Sequence, residues 1–143
     1  MRIVCDTNVI LSALTSNLGA SHRLVRWLFE QNSTINCLSV PMVLELEDVL
    51  LRPENRSRMR QFKESDLKAF VDDICHVSKP IEIYYLWRPI LKDVKDDMVL
   101  ELAVNANADY LVTFNTKDFQ KVSEQFNFKL TTPKQFLTEI GVI

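Results

Sequence analysis

The sequence predicts one α/β domain with an open, mostly parallel sheet and helices on both of its faces. Short apolar runs alternate along the chain with stretches of helical apolar spacing, and the connections between them are short. Size agrees with this, because a chain of 143 residues buries roughly 68–70% of its unfolded surface and supports a single core. No internal repeat, low-complexity segment or linker divides it, so residues 1–143 are expected to form one domain.

Arg2-Ile3-Val4-Cys5 reads as the first strand, closed by Asp6-Thr7-Asn8, residues that favour turns and helix N-caps. From Ser21 as cap to Gln31, Leu24, Val25, Leu28 and Phe29 recur at helical spacing. Ile35 to Leu38 is a second strand. Ser39 then caps a helix with Val40, Val43, Leu46 and Leu50 on one face, which Arg52-Pro53 stops. Pro53 to Lys63, rich in Arg and Lys, reads as a loop or a short exposed helix. Ser65 is expected to cap a helix carrying Leu67, Phe70, Val71 and Ile74. Ile81 to Tyr85 is expected to be extended, and Trp87 to Leu91 strand or loop. Next come a helix over Met98 to Asn107, a strand over Tyr110 to Thr113, a turn or helix start at 114–118, and a short strand over Phe126 to Leu130. Thr132-Pro133 opens the last helix.

Scarcity excludes several functions. With only Gly19 and Gly141, neither a phosphate-cradling P-loop nor a three-glycine dinucleotide fingerprint can be written. His22, His76, Cys5, Cys37 and Cys75 offer no zinc motif of paired spacing. The odd cysteine count, with no cleavable leader and no apolar run of 18 residues, points to a reduced, cytoplasmic protein without membrane association. A net charge of −2 makes the whole chain a poor nucleic-acid binder, so such a role would need a local patch. What remains is oxygen chemistry from nineteen Asp and Glu residues.

In an open parallel sheet, ligands sit outside the carboxyl ends of the strands. Asp6 ends the first strand, Asp93, Asp96 and Asp97 cluster before a helix, and Asn115 and Asp118 follow the Tyr110 strand. A further acid, Glu45 or Glu47, would come from the helix after the second strand. Taken singly, Asp6 is an ordinary N-cap and the aspartates before Met98 ordinary helix-dipole partners. Three acids in five residues exceed what a cap requires. Converging carboxylates repel, and a hard cation such as Mg²⁺ or Mn²⁺ relieves that repulsion while leaving positions for phosphate oxygens. Such a site suits phosphodiester hydrolysis. On a helical wheel Glu47 falls on the apolar arc and Glu45 on the polar side, which slightly favours Glu47 as the unusual acid. A phosphoacceptor domain would also place Asp after a strand, but the glycine-rich and lysine-bearing contexts expected there are missing.

These residues resemble the PIN-domain ribonuclease family, in particular its bacterial and archaeal toxin-like branch. Ile3-Val4-Cys5-Asp6-Thr7-Asn8 resembles the family's strand followed by D-T-N, and Leu38-Ser39 through Glu45-Leu46 its strand, serine and acidic helix. Asp96-Asp97 before Leu100-Glu101-Leu102-Ala103 resembles its third acidic motif. Ala108-Asp109-Tyr110-Leu111-Val112-Thr113 resembles its A-D-Y-L-V-T strand, and Thr132-Pro133 opens the closing helix as T-P does there.

The resemblance implies a PIN-like three-layer α/β/α sandwich and a metal-dependent endoribonuclease acting on single-stranded RNA, the toxin of a toxin–antitoxin pair. It implies Asp6, Glu45, Asp97 and Asp118 as an acidic quartet holding one or two Mg²⁺ or Mn²⁺ ions, and so prefers Glu45 over Glu47. Asn8, Asp96, Thr113 and Asn115 would support them. Asn115 departs from the family, where many members have Asp; weaker metal binding, or one occupied site, would be consistent with that change. Arg52, Arg56, Arg58 and Arg60 are candidates to hold the RNA strand. The implied protein partner is an antitoxin blocking the cleft, and homodimers occur among relatives of this fold. A catalytically weak or inactive RNA-binding or protein-interaction module is the alternative reading. Trp27 and Trp87 are expected to pack rather than to stack bases.

Overall fold

The computed structural model describes residues 1–84 and 93–143. Among these residues, five three-residue strands form one parallel sheet: β1 (Ile3–Cys5), β2 (Asn36–Leu38), β3 (Ser78–Pro80), β4 (Tyr110–Val112) and β5 (Lys129–Thr131). Their order is β3-β2-β1-β4-β5. Helices flank the sheet on both sides, making the expected three-layer α/β/α sandwich. They are α1 (Thr7–Thr15), α2 (Ala20–Glu30), α3 (Val40–Leu51), α4 (Pro53–Arg56), α5 (Glu64–His76), α6 (Val94–Asn105), α7 (Thr116–Ser123) and α8 (Pro133–Glu139). The central strands β1, β2 and β4 lie under this double cover, so Ile3, Val4, Cys37, Leu111 and Val112 are fully buried and read as unbroken apolar runs.

The chain leaves β1 toward β2 and leaves β4 toward β5. The carboxyl ends of the neighbouring strands β1 and β4 therefore border the switch point at which such sheets form a crevice.

Several boundaries differ from expectation, each for a physical reason. Ile81 to Tyr84 is not a strand. Its place beside β2 is taken by Ser78–Pro80, which pairs Asn36 with Ser78 and Leu38 with Pro80, and β2 ends there. The Tyr84 backbone instead bonds the Asn105 side chain. Tyr85 and Trp87 to Leu91 lie outside the described residues. The final strand is Lys129–Thr131 rather than Phe126 to Leu130, because Asn127 has φ +54°, a left-handed turn that no strand continues through. Helix α5 starts at Glu64, with Asp66 accepting the Lys63 N–H at 2.8 Å, so Ser65 lies inside its first turn. Helix α2 likewise starts at Ala20, one residue before the expected Ser21 cap. Helix α6 starts at Val94 rather than Met98, with the Asp93 carboxylate accepting the Lys95 N–H at 2.9 Å.

The expected caps at Ser39 and Thr132 hold. Ser39 Oγ accepts from Met42 N–H, and Thr132 forms a reciprocal capping box with Gln135. In the basic stretch after α3, Asn55 donates to the Val49 carbonyl at 2.7 Å and Met59 is buried, anchoring a segment that otherwise looks solvated. Trp27 is half-buried and packs edge-on against Phe136 at 5.8 Å, the packing role expected of it. Among the described residues no helix is long and apolar enough to cross a membrane. Cys5 and Cys37 are buried in β1 and β2, and Cys75 is exposed on α5. Burial first, then the charge of Asp6, pushes the Cys5 thiol up to about 12, so it is an inert packing group.

Candidate functional site

The site is built at the carboxyl ends of β1 and β4. Asp6 occupies the N-cap position of α1 but makes no side-chain cap bond. Its carboxylate instead accepts a hydrogen bond from the Thr113 hydroxyl, at the end of β4, at 2.8 Å. The Thr113 oxygen in turn accepts the Asn115 N–H at 3.0 Å, fixing the turn into α7. The two strand ends are thus clasped across the switch point through one acid. Asp6 is 7% exposed. Burial pushes its carboxyl above the ordinary range; the Thr113 hydroxyl and the N–H groups of Thr7 and Asn8 oppose the rise, and the charge of Glu45 adds to it. On the same turn, Asn8 Oδ1 is buried with no hydrogen-bond partner among the described residues.

The first turn of α6 supplies Asp96 and Asp97, both buried, behind the exposed cap Asp93. The Asp96 carboxyl is pushed up to about 6, first by burial and then by the charges of Asp93, Asp6, Asp118 and Asp97. Acids from the end of β1, from α6 and from α7 therefore share one electrostatic field, although they are spread over more than a hundred residues of sequence. Asp118 and Asn115 are exposed at the start of α7.

Sequence reasoning passed over Glu101. It is buried one helical turn after Asp97, and an acid set among Leu100, Leu102 and Ala103 at that spacing was the signal that could have found it.

Helix α3 brings Glu45, not Glu47, to these acids. Glu45 Oε1 lies 3.4 Å from Lys95 Nζ on α6 and 3.8 Å from Arg52 Nη2, and its charge acts on Asp6. The wheel pointed to Glu47 because it counted Val40 as core, yet Val40 is 72% and Leu44 64% exposed. The buried side of α3 is Met42, Leu46, Val49 and Leu50, and Glu45 flanks it at i+3 from Met42. Val40, Pro41, Leu44, Glu45 and Met98 line an open apolar cleft of about 390 Å³ beside the acids.

Of the four candidate arginines, Arg52 reaches a site acid. Arg56 pairs with Glu64 on α5 at 4.0 Å, and Arg58 and Arg60 are exposed.

The donor set is all oxygen, which suits a hard divalent cation rather than zinc. Among the described residues, no three His, Cys, Asp or Glu side chains stand arranged to hold a metal ion. Glu45 is turned to Lys95 and Arg52. In residue type, burial and mutual repulsion the acids fit such an ion, and Asn8, two residues after Asp6, carries a buried Oδ1 with no hydrogen-bond partner among the described residues.

Residues 2–117 match a family model described as the PIN domain. The fold is similar to that of a chain in the crystal structure of VapBC2 from Rickettsia felis bound to a DNA fragment from their promoter. The TM-score is 0.60 at 17% identity, over 91% of this chain and 97% of that one. No curated protein sequence matches the chain.

Proposed function

This chain belongs to the PIN-domain family, and from that membership we propose that it is a metal-dependent endoribonuclease cutting single-stranded RNA, the toxin of a toxin–antitoxin pair. The observation that carries the reading is the buried Asp6 clasped by Thr113 at the β1–β4 switch point, with the acids of α6 sharing its field. Mg²⁺ or Mn²⁺ would be held by Asp6, Glu45 and Asp97, with Asp118 at the rim. When bound, the ion supplies charge to polarise a phosphoryl oxygen and to lower the pKa of water.

The chain's own residues do the rest. Thr113 holds Asp6 in one orientation, Asn8 on the same turn carries a buried Oδ1 with no hydrogen-bond partner among the described residues, and the first turn of α6 holds Asp96 and Asp97 buried. In the metal-free chain, burial and the neighbouring acids raise the Asp96 carboxyl to about 6, which adds to the negative field that a cation would offset. Arg52 supplies positive charge at the edge.

The test is incubation of single-stranded RNA with purified protein and Mn²⁺ or Mg²⁺, with Asp6→Asn and Asp97→Asn alongside. Cleavage that needs the metal and is lost in both variants is expected; no cleavage under any metal condition, or cleavage indifferent to both changes, sinks the enzyme reading. Asn115, exposed where many family members have Asp, favours the second reading, an inactive RNA-binding or protein-interaction module, which retained RNA binding without cleavage would establish. The VapBC2 likeness supports an antitoxin partner for this chain. Co-purification with the product of a small neighbouring open reading frame, and loss of cleavage in that complex, tests it.

A further inference from the structure

We propose that Lys95 is the internal counter-cation of Glu45, that it gives up this place to the divalent ion when the site loads, and that the released ammonium then binds a phosphate of the RNA. This deepens the metal-nuclease reading above and rests on it. Lys95 stands in the first turn of α6 directly before Asp96 and Asp97, and its Nζ reaches Glu45 Oε1 on α3 at 3.4 Å. One carboxylate of the site is thus neutralised by the protein itself, across two elements that meet only through tertiary packing.

Arg52 approaches the same Glu45 oxygen at 3.8 Å, but it is anchored elsewhere. Its Nη2 and Nε bond Asp48 Oδ2 at 2.7 and 3.2 Å. Lys95 is the partner free to move: its side chain is half exposed, and a lysine is a point charge on a flexible stem, without the fixed fork that holds an arginine.

An ammonium and a hard divalent cation compete for the same carboxylate oxygen, and the ion carries twice the charge. Once the ion is held by Glu45 and the neighbouring aspartates, like-charge repulsion drives the Lys95 ammonium outward. Its backbone stays fixed by the Asp93 cap, so it moves only to the mouth of the site, where a phosphate backbone arrives. The exchange turns a cluster of acids into a cation-lined surface for an anionic strand, within a chain of net charge −2.

The experiment uses the metal-stripped full chain with Lys95→Met, Lys95→Arg and, as a remote charge control, Lys68→Met, which sits on α5 paired with Glu64. Mn²⁺ binding is read by loss of the free-ion electron paramagnetic resonance signal. Binding of a single-stranded RNA oligonucleotide is read by anisotropy across a salt series with Ca²⁺ present. Removing the competing ammonium should tighten Mn²⁺ about two- to fivefold in Lys95→Met, the range of an exposed ion pair. The salt slope for RNA should fall by about 0.7, one phosphate contact on a single strand. Lys68→Met should match wild type in both, whereas Lys95→Arg should keep the salt slope and, holding Glu45 more firmly, bind Mn²⁺ no more tightly than wild type.

Unchanged or weaker Mn²⁺ binding in Lys95→Met, with wild type binding the ion, overturns the exchange and leaves the metal site standing. Tighter Mn²⁺ with an unchanged salt slope overturns the phosphate contact. A wild type that binds no Mn²⁺ overturns the metal reading and this proposal with it.

Discussion

Thr113→Val probes the clasp at the switch point with almost no change of volume. The substitution removes a hydroxyl that donates to Asp6 Oδ2 at 2.8 Å and accepts from Asn115 N–H at 3.0 Å, at a position that is 0% exposed. Water cannot replace it there. A hydrogen bond to a charged group contributes about 1.5–3 kcal/mol and a neutral one about 1, so the loss at neutral pH should be about 2–4 kcal/mol. In a domain this size that lowers Tm by roughly 2–4 °C per kcal/mol. The two bonds differ in pH dependence. The Thr113 donor favours the ionised form of Asp6, so its contribution shrinks once Asp6 is protonated, whereas the Asn115 bond is indifferent to pH. Guanidinium denaturation in EDTA should therefore show a larger destabilisation at pH 7.5 than at pH 4. Thr113→Ser, which keeps the hydroxyl, should lose only about 1 kcal/mol for the methyl group, equally at both pH values. Equal losses for Thr113→Val at the two pH values, or a smaller loss at pH 7.5, would refute the clasp.

Metal-free stability should fall as pH rises from about 4 to 6. Unfolded Asp96 ionises near 3.8 and folded Asp96 near 6, so between these values the folded chain holds the extra proton; Asp6, also raised, acts in the same sense. The drop attributable to Asp96 would be about 3 kcal/mol in a sealed site and about 1–2 with solvent screening at its mouth; a flat pH profile in EDTA contradicts it, and added Mn²⁺ should restore stability at pH 7. Asp6→Asn should raise the denaturation midpoint in EDTA at pH 7 while abolishing cleavage, because it removes a buried charge that the fold disfavours; a lowered midpoint counts against this. Asn115→Asp should tighten Mn²⁺ several-fold by calorimetry and speed cleavage, since it returns an acid beside Thr113; unchanged affinity would place position 115 outside the site. Met59→Ala should cost about 2–5 kcal/mol by denaturant melt, as for other buried methionines, whereas a loss below about 1 would show that the basic segment is not anchored there.

The elements read correctly from sequence are those whose signal is local. β1, β2 and β4 are apolar runs ended by turn residues, and α3 and α8 carry Ser39 and Thr132 caps. The misread ones depend on partners elsewhere. Ser78-Lys79-Pro80 has none of the β-branched or aromatic content of a strand and becomes one only because β2 pairs with it along the sheet edge. The start of α6 is masked by its chemistry: Lys95, Asp96 and Asp97 fill the first turn with charge, so the apolar period becomes visible only from Met98. Met59 gave no signal at all, since one buried anchor in a polar stretch has no periodicity.

The same division holds for the site, and it explains why one acid was ambiguous and one lysine went unseen. Asp6 and the α6 aspartates could be singled out because their position after a strand or at a helix start is written in the sequence. Periodicity leaned toward Glu47 rather than Glu45, because α3 leaves Val40 and Leu44 exposed and so presents two apolar sides. Only its contact with Lys95 and its field on Asp6 distinguish it. Lys95 was invisible for the converse reason: beside Asp96 and Asp97 a lysine reads as local charge balance, while in the fold its ammonium reaches across to α3. A local pairing would have left Glu45, whose charge acts on the buried Asp6, with only the more distant Arg52 at 3.8 Å. The cross-element pair instead sets an ammonium 3.4 Å from Glu45, at the carboxylate oxygen for which the proposed cation would have to compete.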